Sequence, residues 1–172
     1  MGTLNVTTLK GNSIRQNSVS GLSDEYASSA YFMTRLTANS NPNDASSFTH
    51  RTVFNTTAIL NVGGFTHDGD YIYVPENGLY IVSANVAYNN AAARDVPGFR
   101  FGINGNGQIE NSLSSYIRAA SGHDEASTEL VTAYQLLAGD SIRMEFRLFG
   151  ATGTNTTIIP SYSYINVWRL GT

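Results

Sequence analysis

Ser121-Gly122-His123-Asp124 sets three residue types of a nucleophilic triad side by side. Triad members work from separate segments that converge in space, so neighbours in one loop cannot align as nucleophile, base and orienter. His67-Asp68-Gly69-Asp70 is the best metal motif. Two carboxylates one residue apart, Asp68 and Asp70, can share a calcium ion, and the glycine between them permits the bend. The full calcium-loop pattern is absent, and Asp-Gly-Asp is also a common turn. No Gly-x-Ser-x-Gly and no Gly-x-x-x-x-Gly-Lys occurs. A nucleophile elbow and a phosphate cradle are therefore not expected. With no cysteine there is no thiolate ligand, cysteine nucleophile or disulfide. The expectation is a protein that is not an enzyme and carries no cofactor, with Asp68 and Asp70 the candidate metal ligands.

Arg100, Arg143 and Arg147 could make a basic face, and aromatics interleaved with arginine suit single-stranded nucleic acid. Glu145 lies between two of these arginines, the net charge is −3, and Lys10 is the single lysine. An ordinary wet face is the better expectation, with no nucleic-acid partner. Only 13% of the 172 residues are charged, whereas Ser, Thr, Asn and Gly total 68. Small neutral polar groups thus replace charge on the surface. No stretch reaches the ~18–20 apolar residues of a membrane span, and the start lacks the basic and apolar regions of a secretory signal. Neither membrane association nor export is expected.

These residues need a scaffold, and the chain divides near residue 30. Residues 1–30 hold one aromatic, Tyr26, and their apolar residues come singly: Leu4, Val6, Leu9, Ile14, Val19, Leu22. Such a segment cannot bury enough surface alone to offset its ordering entropy. Evenly spaced single anchors suit strand addition or groove docking on another protein. An extended N-terminal arm is expected, with Leu4, Val6, Leu9 and Ile14 as its partner-binding anchors.

Residues 31–172 read as strand after strand. Tyr31 to Ala38, Thr52 to Val62, Tyr71 to Val74 and Leu79 to Tyr88 are candidate strands. Phe99 to Ile103, Gln108 to Arg118, Thr128 to Leu137, Ser141 to Phe149 and Tyr162 to Leu170 follow. In the fourth, Tyr80, Val82, Ala84, Val86 and Tyr88 share a face. Between Ser141 and Phe149, Ile142, Met144, Phe146 and Leu148 oppose Arg143, Glu145 and Arg147, the period-2 signature of a sheet with one wet face. Asn104-Gly105-Asn106-Gly107 signals a hairpin. Apolar residues nowhere recur at helical spacing over three turns. The expected class is all-β, an antiparallel β-sandwich or jelly roll. The rings of Tyr162, Tyr164 and Trp168 are many for one strand, and Tyr and Trp are enriched at subunit interfaces.

Phe54, Phe65 and Gly78-Leu79-Tyr80 stand at separations that resemble the signature of the C1q/TNF-like jelly-roll family. Asn61 falls one place late, Ile72 replaces an aromatic, and Val82 and Ala84 stand where the family often has rings. Leu136 to Ile142 is similar to the family's turn into its penultimate long strand, and Tyr164 to Gly171 to its last. This resemblance, over residues 31–172, implies a ten-stranded jelly roll that forms homotrimers and binds through the trimer surface. Tyr162, Tyr164 and Trp168 are then the expected trimer interface. Met1 to Gly11 is similar to the opening of small virion structural proteins of tailed phages, cyanophages in particular.

Arm and jelly roll together suggest a capsid decoration (cement) protein on the outer capsid surface of a virion, its partner the major capsid protein. It would stabilise the shell by binding only the assembled state, with three arms per trimer adding avidity. The rival is a receptor-binding tip of a tail fibre or knob recognising a host surface glycan. Loop residues Asn89, Asn90, His123 and Asp124 would then matter.

Overall fold

Alternation of apolar and polar residues organises the molecule into two facing sheets. The computed structural model describes residues 30–37, 48–50, 54–90, 96–118, 122–149 and 156–171. The arm anchors Leu4, Val6, Leu9 and Ile14 lie outside the described residues. The strands are β1 (Tyr31–Arg35), β2 (Thr49–His50), β3 (Leu60–Val62), β4 (Thr66–His67), β5 (Ile72–Tyr73) and β6 (Gly78–Asn90). They continue with β7 (Pro97–Ile103), β8 (Asn106–Ser114), β9 (Glu125–Leu136), β10 (Ser141–Leu148), β11 (Thr156–Ile158) and β12 (Tyr164–Gly171). All pairings are antiparallel. The first sheet runs β9-β6-β12-β1-β3, with β11 also on β6. The second runs β4-β5-β10-β7-β8, with β2 also on β10. No helix among the described residues is long and apolar enough to cross a membrane.

The core fills the space between the sheets. Tyr80, Val82, Ala84, Val86 and Tyr88 from β6 are all buried, as their shared parity predicts. Ile142, Met144 and Phe146 of β10 join them in one core cluster from the second sheet, and Leu148 is buried too. Phe65, one of the spaced aromatics, packs edge-on against Tyr80 at 6.1 Å and tilted against Phe32 at 5.7 Å. Buried Phe54 is the third of that set. Edge-to-face packing of this kind adds to the area term because ring edges are positive and faces negative.

Turn chemistry sets the register. Asn104 and Gly105 have φ of 50° and 80°, and Ile103 pairs with Asn106 across them. That is the left-handed pair a two-residue hairpin requires. Gly63, φ 92°, passes so close to Ala30 that a Cβ there would sit 2.4 Å from the alanine's Cβ.

Several sequence expectations are corrected. Thr52 to Val62 is not one strand: Phe54 makes an isolated bridge to Leu36, the chain bends, and pairing resumes only at Leu60. The Asn55 side chain accepts the Thr57 N–H and stabilises the bend. There are twelve strands among the described residues, not ten. The two-residue pairings β2 and β4 and the short β11 carry too little pattern to read. Ala30, assigned to the arm, is 4% exposed, and its carbonyl accepts the Arg169 N–H. The head therefore already includes residue 30.

Candidate assembly face

The strand β12 carries apolar residues on both faces. Ile165 and Val167 enter the core, while Tyr164, Trp168 and Leu170 point to the opposite side. The neighbouring β1 does the same, with Phe32 inward and Tyr31 and Met33 outward. A sheet facing water on one side carries polar residues there, so apolar residues on both sides make this outer face a candidate for burial against a partner.

The register lays this outer face out as rows. Val62, Tyr31, Trp168, Ile81 and Ala133 stand opposite one another across β3, β1, β12, β6 and β9. Beside them run Leu60, Met33, Asn166, Ser83 and Val131. Leu60, Val62 and Val131 are exposed, and Tyr31, Met33, Ile81 and Trp168 are half-buried. The rings of Tyr31 and Trp168 are 6.3 Å apart. Through the middle runs a short polar chain: the Tyr31 hydroxyl donates to Asn166 Oδ1 at 2.9 Å, and Asn166 Nδ2 donates to Ser83 Oγ at 3.2 Å. Each of these polar side chains thus has a partner within the face, which lowers the cost of covering it. At one end Arg35 pairs across to Tyr164 and Glu129 to Asn85, and Arg169 borders the hollow beside Tyr31 and Trp168. A hollow of about 530 Å³ lies between Leu60, Val62, Tyr31 and Trp168.

The three rings expected at an interface fall on this side, by two routes. Tyr164 and Trp168 stand on β12 at even positions, facing outward. Tyr162 is not in the strand: it ends a single 3-10 turn, Pro160–Tyr162, and is 64% exposed. Its carbonyl accepts from Asn85 Nδ2 on the outer face of β6, which keeps it beside the same surface. Tyr31, Met33, Leu60, Val62, Ile81 and Val131 were missed as members of the face. The available signal was the apolar parity on both sides of Tyr31–Arg35 and Tyr164–Gly171.

Asp68 and Asp70 do not form a ligand cage. Asp68 Oδ1 accepts the N–H groups of Asp70 and Tyr71 at 2.9 and 2.8 Å, and Oδ2 accepts the Tyr73 hydroxyl at 3.1 Å. Partial burial alone would raise the Asp68 pKa, but these bonds to the charged form outweigh it and hold the carboxyl below its ordinary range. The carboxylate is committed to its own turn. No group of three His, Cys, Asp or Glu that could hold a metal occurs among the described residues. His123 is exposed and Asp124 half-buried, with Ser121 outside the described residues. Asn89 stands at the end of β6 opposite Glu125, and the Asn90 side chain is outside the described set.

The basic face is not an ordinary wet one. Glu145 is 2% exposed, clamped by Arg100 and Arg143 on the outer side of β10 and β7. Arg169, inward on β12, is also buried: it donates to Glu76 Oε2 at 2.6 Å and to the Asn77 carbonyl at 2.8 and 3.1 Å.

No protein-family model and no curated protein sequence matches the chain. Two solved structures of murine APRIL, at pH 8.0 and pH 8.5, are similar to it in fold. The first is 16% identical with a TM-score of 0.52 and the second 14% with 0.54; each alignment covers 82% of this chain and 98% of the other. With the two antiparallel sheets, this makes the head a C1q/TNF-like jelly roll.

Proposed function

We propose that the protein is a structural protein whose head self-associates as a homotrimer through the outer face of the first sheet. Its role is the decoration of an outer capsid surface, and its N-terminal arm binds the major capsid protein. The observation that carries the self-association is the apolar, internally hydrogen-bonded face around Tyr31 and Trp168. Burying one large side chain is worth about 1.5–3 kcal/mol, so a face with several such residues favours a covering partner. Further copies of the chain bring apolar surface without any new chemistry, and three of them close such head-to-tail contacts into a ring. The C1q/TNF-like fold supports three as the number of copies. The virion role rests on the Met1 to Gly11 resemblance and the singly spaced anchors Leu4, Val6, Leu9 and Ile14. No catalytic step is assigned; the activity is contact.

The experiment is a depletion and add-back on purified particles. Full-length protein is expected to rebind in hundreds of copies per particle and to raise the shell's resistance to heat. A chain lacking residues 1–22 is expected to stay folded and trimeric but fail to bind. Rebinding by the truncated chain would overturn the arm reading. A few dozen copies or fewer, at the tail, would place the protein on a fibre or knob instead.

A further inference from the structure

The outer face of the second sheet, away from the assembly face, carries a different surface. Arg143, Glu145 and Arg147 alternate outward along β10, with Arg100 opposite Glu145 on β7. Glu145 Oε2 accepts from Arg100 Nε at 2.6 Å, and Oε1 accepts from Arg143 Nε at 3.0 Å. Arg143 also donates to the Gly105 carbonyl at 2.7 Å. Glu145 thus serves two arginines and leaves nothing for the third.

Arg147 is held by rings instead. Its guanidinium carbon lies 4.1 Å from the centroid of Phe149 and 5.5 Å from that of Phe48. Phe149 also rests on Gly98, where a Cβ would come within 2.4 Å of the ring. Phe48 meets Phe149 edge-on at 5.7 Å and carries Arg100 at 4.3 Å. Arg147 Nε is buried and has no hydrogen-bond partner among the described residues. Among the described residues, three guanidinium charges against one carboxylate leave this cluster at +2, on a chain of net charge −3.

We infer that Arg147, held against Phe149 and beside Phe48 next to the Arg100–Glu145–Arg143 triad, is an oxyanion-binding site on the outer face of the second sheet. A guanidinium offers a planar fork that carboxylate, sulfate and phosphate oxygens match in pairs. Stacking on a ring orients the fork in advance and leaves its charge uncancelled. The ligand class is an oxyanion displayed on a partner surface, as a carboxylate or as a sulfate or phosphate ester. The site stands independently of the trimer and of the arm.

The test is a titration of the full chain, labelled with nitrogen-15, followed at the arginine Nε–H signals. Sodium acetate, sulfate and phosphate are the probes, each at constant ionic strength. The Arg147 signal, identified by its loss in Arg147→Lys, is expected to shift and saturate in roughly the millimolar range. The anion that saturates at the lowest concentration separates a carboxylate source from a sulfate or phosphate one. Backbone amide shifts around Gly98 and Phe149 give a second readout that survives the substitution. Arg147→Lys is expected to weaken saturation there at least tenfold, and Phe149→Leu severalfold, while Arg118→Lys, exposed and outside the cluster, leaves it unchanged. A linear, non-saturating response, or saturation that persists in Arg147→Lys, would overturn the site.

Discussion

Glu145→Gln removes one charge from the centre of the second sheet's outer face and changes almost no volume. The carboxylate receives Nε and Nη2 of Arg100, both at 2.6 Å to Oε2, and Nε and Nη2 of Arg143 on Oε1. Glutamine keeps one acceptor oxygen for one arginine and turns an NH2 donor toward the other. Two charge-assisted bonds are lost, at about 1.5–3 kcal/mol each. The arginine side chains keep 15% and 17% exposure, so water recovers part of that loss. The expected destabilisation is about 2–4 kcal/mol, overlapping the lower part of the ~3–5 kcal/mol for breaking a buried pair. For a chain of this size that lowers the melting temperature by roughly 4–16 °C. Urea unfolding at fixed protein concentration, followed by the single tryptophan, Trp168, measures it. Replacing the whole triad, with Arg100→Met, Arg143→Met and Glu145→Leu, should restore most of the loss, because desolvation disappears with the charges. A loss below 1 kcal/mol in Glu145→Gln would refute the reasoning.

Tyr88→Phe is expected to leave stability unchanged or raise it by about 1 kcal/mol. The Tyr88 hydroxyl is buried without a partner among the described residues, and burial holds its pKa well above the ordinary 10.0. Urea unfolding checks it, and a loss above 1 kcal/mol would show that the hydroxyl has a partner. Asp68→Ala is expected to cost about 0.5–1.5 kcal/mol at neutral pH by uncapping the turn before Tyr71. Because the folded pKa of Asp68 lies below 3.8, its contribution is complete above that value and lost as pH falls through the lowered one. The stability gap between wild type and Asp68→Ala should therefore close as the pH is lowered below about 4; a pH-independent gap would contradict it.

Long strands with one core-facing side were legible. Tyr80 to Tyr88 and Ile142 to Leu148 show their period over many residues, and the core follows it. Asn104-Gly105 was legible because only a few residue types tolerate that backbone. Short pairings were not. Thr49–His50 and Thr66–His67 are two-residue contacts fixed by their neighbours in the sheet, and two residues carry no period. The break after Phe54 was hidden because Thr, Val and Phe favour strands, while the bend is held by the Asn55 side chain and by the Thr34 hydroxyl, which donates to the Asn55 and Thr57 carbonyls from a distant strand. Glu145 looked solvated because polar residues alternate with apolar ones there. Its burial comes from arginines that lie flat over glycine: a Cβ at Gly107 would sit 2.1 Å from Arg100 Nη2. The rings of Tyr164 and Trp168 were correctly placed on a shared face, but the partners Tyr31, Leu60 and Val62 come from strands far away in sequence. Only the register could join them.

Sedimentation equilibrium of the full chain and of Trp168→Glu, over a wide concentration range, tests the assembly face most directly. The wild type should sediment as a trimer. The variant places a charge at the centre of the apolar rows and should weaken association by roughly a hundredfold or more, giving a monomer that keeps its β-sheet circular dichroism. A wild-type monomer at high concentration, or a trimer indifferent to Trp168→Glu, would contradict the account.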